Sequence, residues 1–186
     1  MRLETKRLIL REWNKKDVAD LIEGLNNLQV SKWLAFAPYP YTKKDAMEWI
    51  EYCGMHSKNG KRIDSYEFAI ELKSEKKVIG GLSLNKINNF QGTAGGGIWL
   101  NKKYHNKGYG SEAFAERLKF AFNKLKLRRV ETGFLKGNKS SFKMLKRMGY
   151  KLEGMKREAF RCKADGKIKD EYIMGLLKAD WKKIKL

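Results

Sequence analysis

Two periods run through this chain, one in which apolar side chains alternate with polar ones and one in which they recur every three to four residues, and together they divide it into elements. Leu8, Ile9 and Leu10 between Arg7 and Arg11 predict a first strand, and Val18, Leu21, Ile22 and Leu25 fall at helical spacing behind Asn14 and Asp17. Thr42 with Asp45 three residues on makes a cap-like start for a helix carrying Trp49, Ile50 and Cys53. Residues 54–65 are polar and predict a loop. Residues 66–72 and 77–85 alternate about a short turn and predict a hairpin, and 88–92 turn the chain into a third antiparallel strand over 93–100. A helix then begins near Ser111 and runs to Lys126, with Phe114, Leu118, Ala121, Phe122 and Leu125 on one face. The strand predicted over 128–134 must lie parallel to 93–100, because a crossover helix links the two. A short helix over 138–148 turns Leu145 and Met148 inward and stops at Gly149, and 151–158 with 165–177 form a closing hairpin.

The junction between the third strand and the long helix carries the most chemistry. Gly95-Gly96-Gly97-Ile98-Trp99-Leu100 is followed by Tyr104-His105-Asn106-Lys107-Gly108-Tyr109-Gly110-Ser111, a strand running through a glycine-bearing basic loop into a helix. The first N–H groups of a helix have no intrahelical partner and lie at the positive end of its macrodipole, so an anion satisfies them. Gly108 and Gly110 permit φ > 0 and close approach of a phosphate, while Lys102, Lys103 and Lys107 add countercharge. The alternative is that the Gly-x-Gly pair is only a turn into a core helix. Neither the third glycine of a dinucleotide fingerprint nor the Gly-Lys-Ser/Thr ending of a Walker loop is present.

Composition narrows the class. With 186 residues and 42% hydrophobic content, a single globular domain over 1–186 is expected. The net charge of +20 is uneven: residues 1–93 carry 16 basic and 12 acidic side chains, and residues 94–186 carry 25 and 9. A nucleotide ligand uses few of those charges, so the surplus serves either a polyanionic neighbour such as RNA or the ribosome, or solubility. Cys53 and Cys162 are too few for a disulfide framework and predict reduced, buried thiols. With only His56 and His105, no zinc-site spacing appears and no metal is expected. Nothing resembles a signal peptide or an apolar run of about 20 residues, so the expected location is the cytoplasm, with no membrane span, as a monomer or homodimer.

The stretch from Ile98 through Tyr109-Gly110-Ser111 resembles the acetyl-CoA pyrophosphate loop of the GNAT N-acetyltransferase superfamily, whose pattern is Arg/Gln-x-x-Gly-x-Gly/Ala; His105 stands where the family has Arg or Gln. Residues 4–11, the Asn138-x-x-Ser141-x-x-x-Leu145-x-x-x-Gly149-Tyr150 string and the closing hairpin resemble the branch that holds the ribosomal-protein N-terminal (alanine/serine) acetyltransferases. The resemblance covers nearly all of the chain in order. It implies an α/β (α+β) GNAT fold: a central, mostly antiparallel sheet splayed at one parallel strand pair and flanked by helices. It also implies acetyl-CoA as cosubstrate, held by Ile98, Trp99, Leu100, His105, Asn106, Lys107, Gly108, Tyr109, Gly110, Ser111, Asn138 and Ser141.

The chemistry implied is direct attack of a primary amine on the thioester, with a backbone N–H near 98–100 stabilising the oxyanion. Many relatives protonate the leaving thiolate with a tyrosine where this chain has Leu145, which leaves Ser141 as the candidate acid, unless it only caps its helix. Relatives often place a basic glutamate where this chain has Gly95; Glu158 is the substitute, unless it only pairs with Arg157 or Lys156, or an ordered water serves instead. A weak base favours α-amines, of which roughly 30% are neutral near pH 7.4, over lysine-type amines at about 0.1%. The expected acceptor is therefore a protein or peptide N-terminus such as that of a ribosomal protein. A small-molecule amine (antibiotic or polyamine), or a non-catalytic acyl-CoA-binding module associated with the ribosome or RNA, are the alternatives.

Overall fold

A computed structural model describes residues 1–58 and 64–183. Its strands are β1 (Arg2–Glu4), β2 (Leu8–Glu12), β3 (Tyr66–Leu72), β4 (Lys77–Asn88), β5 (Thr93–Gly95), β6 (Ile98–Leu100), β7 (Arg129–Leu135), β8 (Lys151–Arg161) and β9 (Ile168–Leu177). The helices are α1 (Val18–Leu25), α2 (Leu28–Ser31), α3 (Lys43–Lys58), α4 (Tyr109–Lys119), α5 (Lys139–Arg147) and α6 (Lys178–Trp181). The strands form one sheet in the order β1-β2-β3-β4-β5-β7-β9-β8, with β6 pairing β4 beside that path. Neighbours are antiparallel except β5 and β7, the parallel pair that the crossover helix required.

Both faces of the sheet are covered, but by different cores. Phe114, Leu118 and Leu145 from α4 and α5 pack with Ile79, Leu84 and Val130 on one face. Leu21, Leu25, Ala46 and Ile50 from α1 and α3 pack with Ala69, Val78 and Trp13 on the other. Trp99 belongs to this second face, where it stacks on Trp13 at 6.5 Å, whereas Ile98 and Leu100 join the first. Alternation along β6 thus sends successive side chains to opposite sides.

Four local expectations change. The strand expected over 93–100 is two strands, because Gly96 has φ +125° and a Cβ there would lie 2.2 Å from the Ser83 carbonyl oxygen. Only Thr93 and Ala94 pair with β7, at Arg129 and Val130. Beyond the break β6 stays with β4 while β7 stays with β9, and the sheet opens between them. The Thr132 hydroxyl donates to the Gly96 carbonyl at 2.7 Å and the Gly97 N–H to Ser83 Oγ at 2.9 Å, which closes the apex of the V. Second, the long helix begins at Tyr109, two residues before Ser111, and its last turn is π-helical over Phe120–Lys124. Third, the expected loop over 54–65 is partly helix: α3 continues to Lys58, since one interior glycine costs a helix only about 1 kcal/mol. The remainder of that expectation, 59–63, lies outside the described residues. Fourth, two elements join those expected, the short strand β1 and helix α2, each with too few residues to show a period.

Candidate active site

The open V is a cleft of about 520 Å³ that passes through the sheet. On the α4/α5 side it is lined by Gly108, Gly110, Ser111, Asn138, Ser141 and Met144, and on the other side by Gln29, Val30, Trp33 and Leu34. Ile98, Trp99 and Leu100 form one wall and Thr132, Gly133 and Phe134 the other.

Backbone alternation sets the chemistry of the first wall. The Asn101 N–H donates to the Ile79 carbonyl at 2.8 Å and the Gly97 carbonyl accepts from Ser83 N–H at 2.9 Å, so residues 97, 99 and 101 turn toward β4. Ile98 and Leu100 consequently direct their N–H groups into the cleft, where no strand pairs with them. His105 Nε2 lies 2.9 Å from the Leu100 carbonyl oxygen, which can only accept, so Nε2 carries the proton. This bond ties the basic loop to the end of β6.

The loop then makes its turn with Asn106 at φ 61° and Gly108 at φ 80°. The first intrahelical bond of α4 runs from Glu112 N–H to the Gly108 carbonyl at 3.0 Å, so the amides of Tyr109, Gly110 and Ser111 precede it at the cleft. Two residues the sequence reading did not single out hold this turn. Arg7 donates to the Lys107 carbonyl at 3.0 Å, lies 4.4 Å over the Tyr109 ring and pairs with Glu112 at 2.6 Å. Glu112 also accepts from Thr5 Oγ1 at 2.6 Å and from Arg7 N–H at 2.9 Å, and together these donors hold its carboxyl below the usual range against the opposing effect of burial. The only sequence signal was an acidic residue in a helix's first turn, which many helices carry without a partner.

Most expected cosubstrate residues line the cleft: Ile98, Trp99, Leu100, His105, Asn106, Gly108, Gly110, Ser111, Asn138 and Ser141. Lys107 and Tyr109 do not; the Lys107 ammonium stands 5.6 Å over the Tyr104 ring and the Tyr109 ring takes Arg7, so both brace the turn from behind. Asn138 is the N-cap of α5, its Oδ1 accepting from Ser141 N–H at 3.2 Å. The cap occupies the backbone of Ser141, and its hydroxyl makes no hydrogen bond among the described residues.

Glu158 is not brought to Ser141. It sits exposed on β8 at φ 49°, where the β8–β9 register shifts between Lys156 and Phe160, and its N–H donates to Asp170 Oδ1 at 2.9 Å. The irregular backbone carries its side chain onto the outer hairpin, outside the cleft-lining set, and Lys156 pairs instead toward Glu171. Cys53 and Cys162 are both free and buried, and burial pushes each thiol above its ordinary value, which removes them as nucleophiles. Among the described residues no helix is long and apolar enough to cross a membrane.

Comparison with known proteins agrees with this geometry. Residues 7–151 match the family described as acetyltransferase (GNAT) domain. An uncharacterized N-acetyltransferase, p20 of Bacillus licheniformis, is 29% identical over 179 residues, covering 96% of this chain and 97% of that protein. The [ribosomal protein uS5]-alanine N-acetyltransferase of Escherichia coli is 23% identical over 190 residues, covering 97% and 93%. Among solved structures, spermidine N-acetyltransferase from Vibrio cholerae in complex with CoA and spermine superposes with a TM-score of 0.77 at 21% identity, covering 96% of this chain and 99% of that one. A sheet split at one parallel pair, a helix N-terminus aimed into the split and a family match over most of the length have one reading: the chain belongs to the GNAT family of acetyltransferases.

Proposed function

We propose that this chain is a single-domain cytoplasmic N-acetyltransferase that transfers the acetyl group of acetyl-CoA, by direct attack, to the α-amine of a protein or peptide N-terminus. Enzymes of this family use acetyl-CoA, and the residues present fit it. The unspent amides of Tyr109, Gly110 and Ser111 suit a pyrophosphate, and the cleft-facing N–H groups of Ile98 and Leu100 suit an acyl chain and an oxyanion. The Ser141 hydroxyl is free to hydrogen-bond the departing thiolate.

The observation that carries the acceptor class is the lining of the cleft on the α2 side. Gln29, Val30, Trp33 and Leu34 stand there, and among the described residues no carboxylate lines the cleft, whereas Lys102, His105 and Arg147 do. A polycation would meet the like charges of Lys102 and Arg147 and no counter-ion on that lining, while a peptide N-terminus brings one ammonium and an otherwise neutral backbone. The E. coli relative named for alanine acetylation of ribosomal protein uS5 supports the same class. The surplus of basic residues in 94–186 suits a substrate presented on a ribosome.

Acetyl-CoA-dependent thiol release against Ala- and Ser-start peptides, spermine and an aminoglycoside tests this reading. The expected result is a kcat/KM at least tenfold higher on a peptide than on either other amine. Faster turnover of spermine would replace the acceptor class by that of the structurally similar spermidine enzyme.

A further inference from the structure

The segment 32–37, which follows α2 and carries Trp33 and Leu34 into the cleft, has no helix or strand of its own. The β8–β9 hairpin holds it from outside. Lys169 Nζ donates to the Lys32 carbonyl at 2.7 Å, and the Lys163 N–H donates to the Ala35 carbonyl at 3.1 Å. The Phe160 ring meets Phe36 edge-on, with ring centroids 5.6 Å apart. Phe160 and Lys169 are direct partners across the β8–β9 ladder, so their side chains leave the hairpin on one face and reach the segment together.

Lys169 is the unusual member of this set. A lysine ammonium is ordinarily solvated, and an exposed one contributes little through its ion pairs. This side chain is only 14% exposed, and its ammonium meets the Lys32 carbonyl, the Asp165 carboxylate at 2.7 Å and the Cys162 thiol. Asp165 lies four residues away, so the charge is already neutralised within the hairpin. The bond to Lys32 reaches 137 positions back along the chain, and a cation desolvated beside one distant carbonyl fixes where that carbonyl stands.

The residue after that carbonyl is Trp33. Two ammonium groups stand within cation–π reach of its indole, Lys169 Nζ at 5.6 Å and Lys32 Nζ at 5.2 Å from the ring centre. The edge of the six-membered ring meets Gly137, where a Cβ would lie 3.5 Å away. Gly137, at φ +96°, directly precedes Asn138, the N-cap of α5. Trp33 therefore bridges the hairpin and the turn that carries Asn138 and Ser141.

We propose that Lys169 is a positioning residue for the acceptor: by holding the Lys32 carbonyl and the Trp33 ring, it sets the wall that aligns the incoming amine with the thioester. This rests on the acetyl-transfer reading above, in which the α2 side receives the amine. Lys169 is not among the residues lining the cleft and acts through Trp33, which is.

The test compares wild type, Lys169→Met, Trp33→Ala and the double variant Lys169→Met/Trp33→Ala. Lys169→Met keeps most of the stem and removes the donor. Its KM for the peptide acceptor should rise about tenfold, the loss of one charge-assisted bond, while the KM for acetyl-CoA stays within about twofold of wild type. In the Trp33→Ala background the same replacement should change the acceptor KM by less than about twofold, because no indole is left to place. An equal rise in both KM values, no rise, or a rise that persists in full without the indole overturns the assignment. Where Lys169→Met does not fold, Lys169→Met/Asp165→Asn, which leaves no carboxylate without its cation, takes its place. If spermine or the aminoglycoside turns over and the peptide does not, the acceptor reading fails while the same comparison on that amine still decides Lys169. If no amine turns over, acrylamide quenching of Trp33 fluorescence, taken as the difference between each protein and its Trp33→Ala counterpart, decides it. Stronger quenching in Lys169→Met supports the assignment, and equal quenching overturns it.

Discussion

The two ends of the cleft use opposite materials. The α4/α5 end is built from backbone: the amides at 109–111 and the turn at Gly108, braced from behind by Arg7, His105 and Glu112. The α2 end is built from side chains that meet from distant parts of the chain, Gln29, Trp33, Leu34 and Trp99 among them. Backbone recognition tolerates sequence change as long as the turn persists, which is why His105 can stand in the place of Arg or Gln. Side-chain recognition has no such tolerance.

The largest expected effect removes the contrast altogether. Gly96→Ala puts a Cβ 2.2 Å from the Ser83 carbonyl at the apex shared by both ends and forces φ +125° on an alanine. A loss of about 3 kcal/mol in stability is expected, read as a fall in the denaturant midpoint, with CoA binding and turnover lost together. Ser141→Ala divides the ends next. It should lower kcat about 100-fold, roughly 2.7 kcal/mol, with little change in acetyl-CoA KM, because the cap to its backbone N–H survives the loss of the hydroxyl. Steady-state kinetics check the split, and an equal change in KM would return Ser141 to a purely structural part.

Gly108→Val sharpens the contrast from the phosphate side. A β-branched residue at φ 80° costs about 1–2 kcal/mol, so acetyl-CoA KM should rise about tenfold. Acceptor preference across the amine panel should stay as in wild type. The smallest effect comes from Glu171 on β9, outside the cleft. A carboxyl whose value is raised by folding contributes stability at low pH that is lost as pH rises through its folded value, so at pH 7 the ionised Glu171 destabilises the native state. Glu171→Gln should therefore raise Tm at pH 7 by about 2–4 °C for each kcal/mol relieved, with the gain vanishing near pH 4. Thermal melts at both values check it, and an unchanged Tm at pH 7 would mean the carboxylate is better solvated than its 17% exposure implies.

Legibility followed the same division. The phosphate turn was readable because its residues lie within one stretch and its function depends on helix termini and positive φ, which glycine and helical period announce. The place of Glu158 outside the cleft lining was not legible, because a β-strand's outward direction depends on register, and the shift between Lys156 and Phe160 is invisible in a string of mostly polar residues. Glu171 is flanked by Asp170 and Tyr172 in a segment that reads only as a strand; that its carboxylate rests over Gly133, 38 positions earlier in the chain, is decided by the β7–β9 pairing. The same holds for Arg117, which the period places on the core face of α4. The fold buries it fully, with its guanidinium donating to the Ser83 carbonyl at 2.8 Å and to Tyr150 Oη at 3.0 Å beneath the split strands.

The sequence by itself determined the order of strands and helices, the parallel pair enforced by a crossover helix, and an anion-binding turn ahead of α4, since each follows from local period, turn chemistry or chain connectivity. Only the tertiary structure decided where the third strand breaks, which basic and acidic side chains brace the turn, and which side chains line the cleft. Those outcomes depend on steric contacts and on burial between residues dozens of positions apart, and neither is a property of any one stretch.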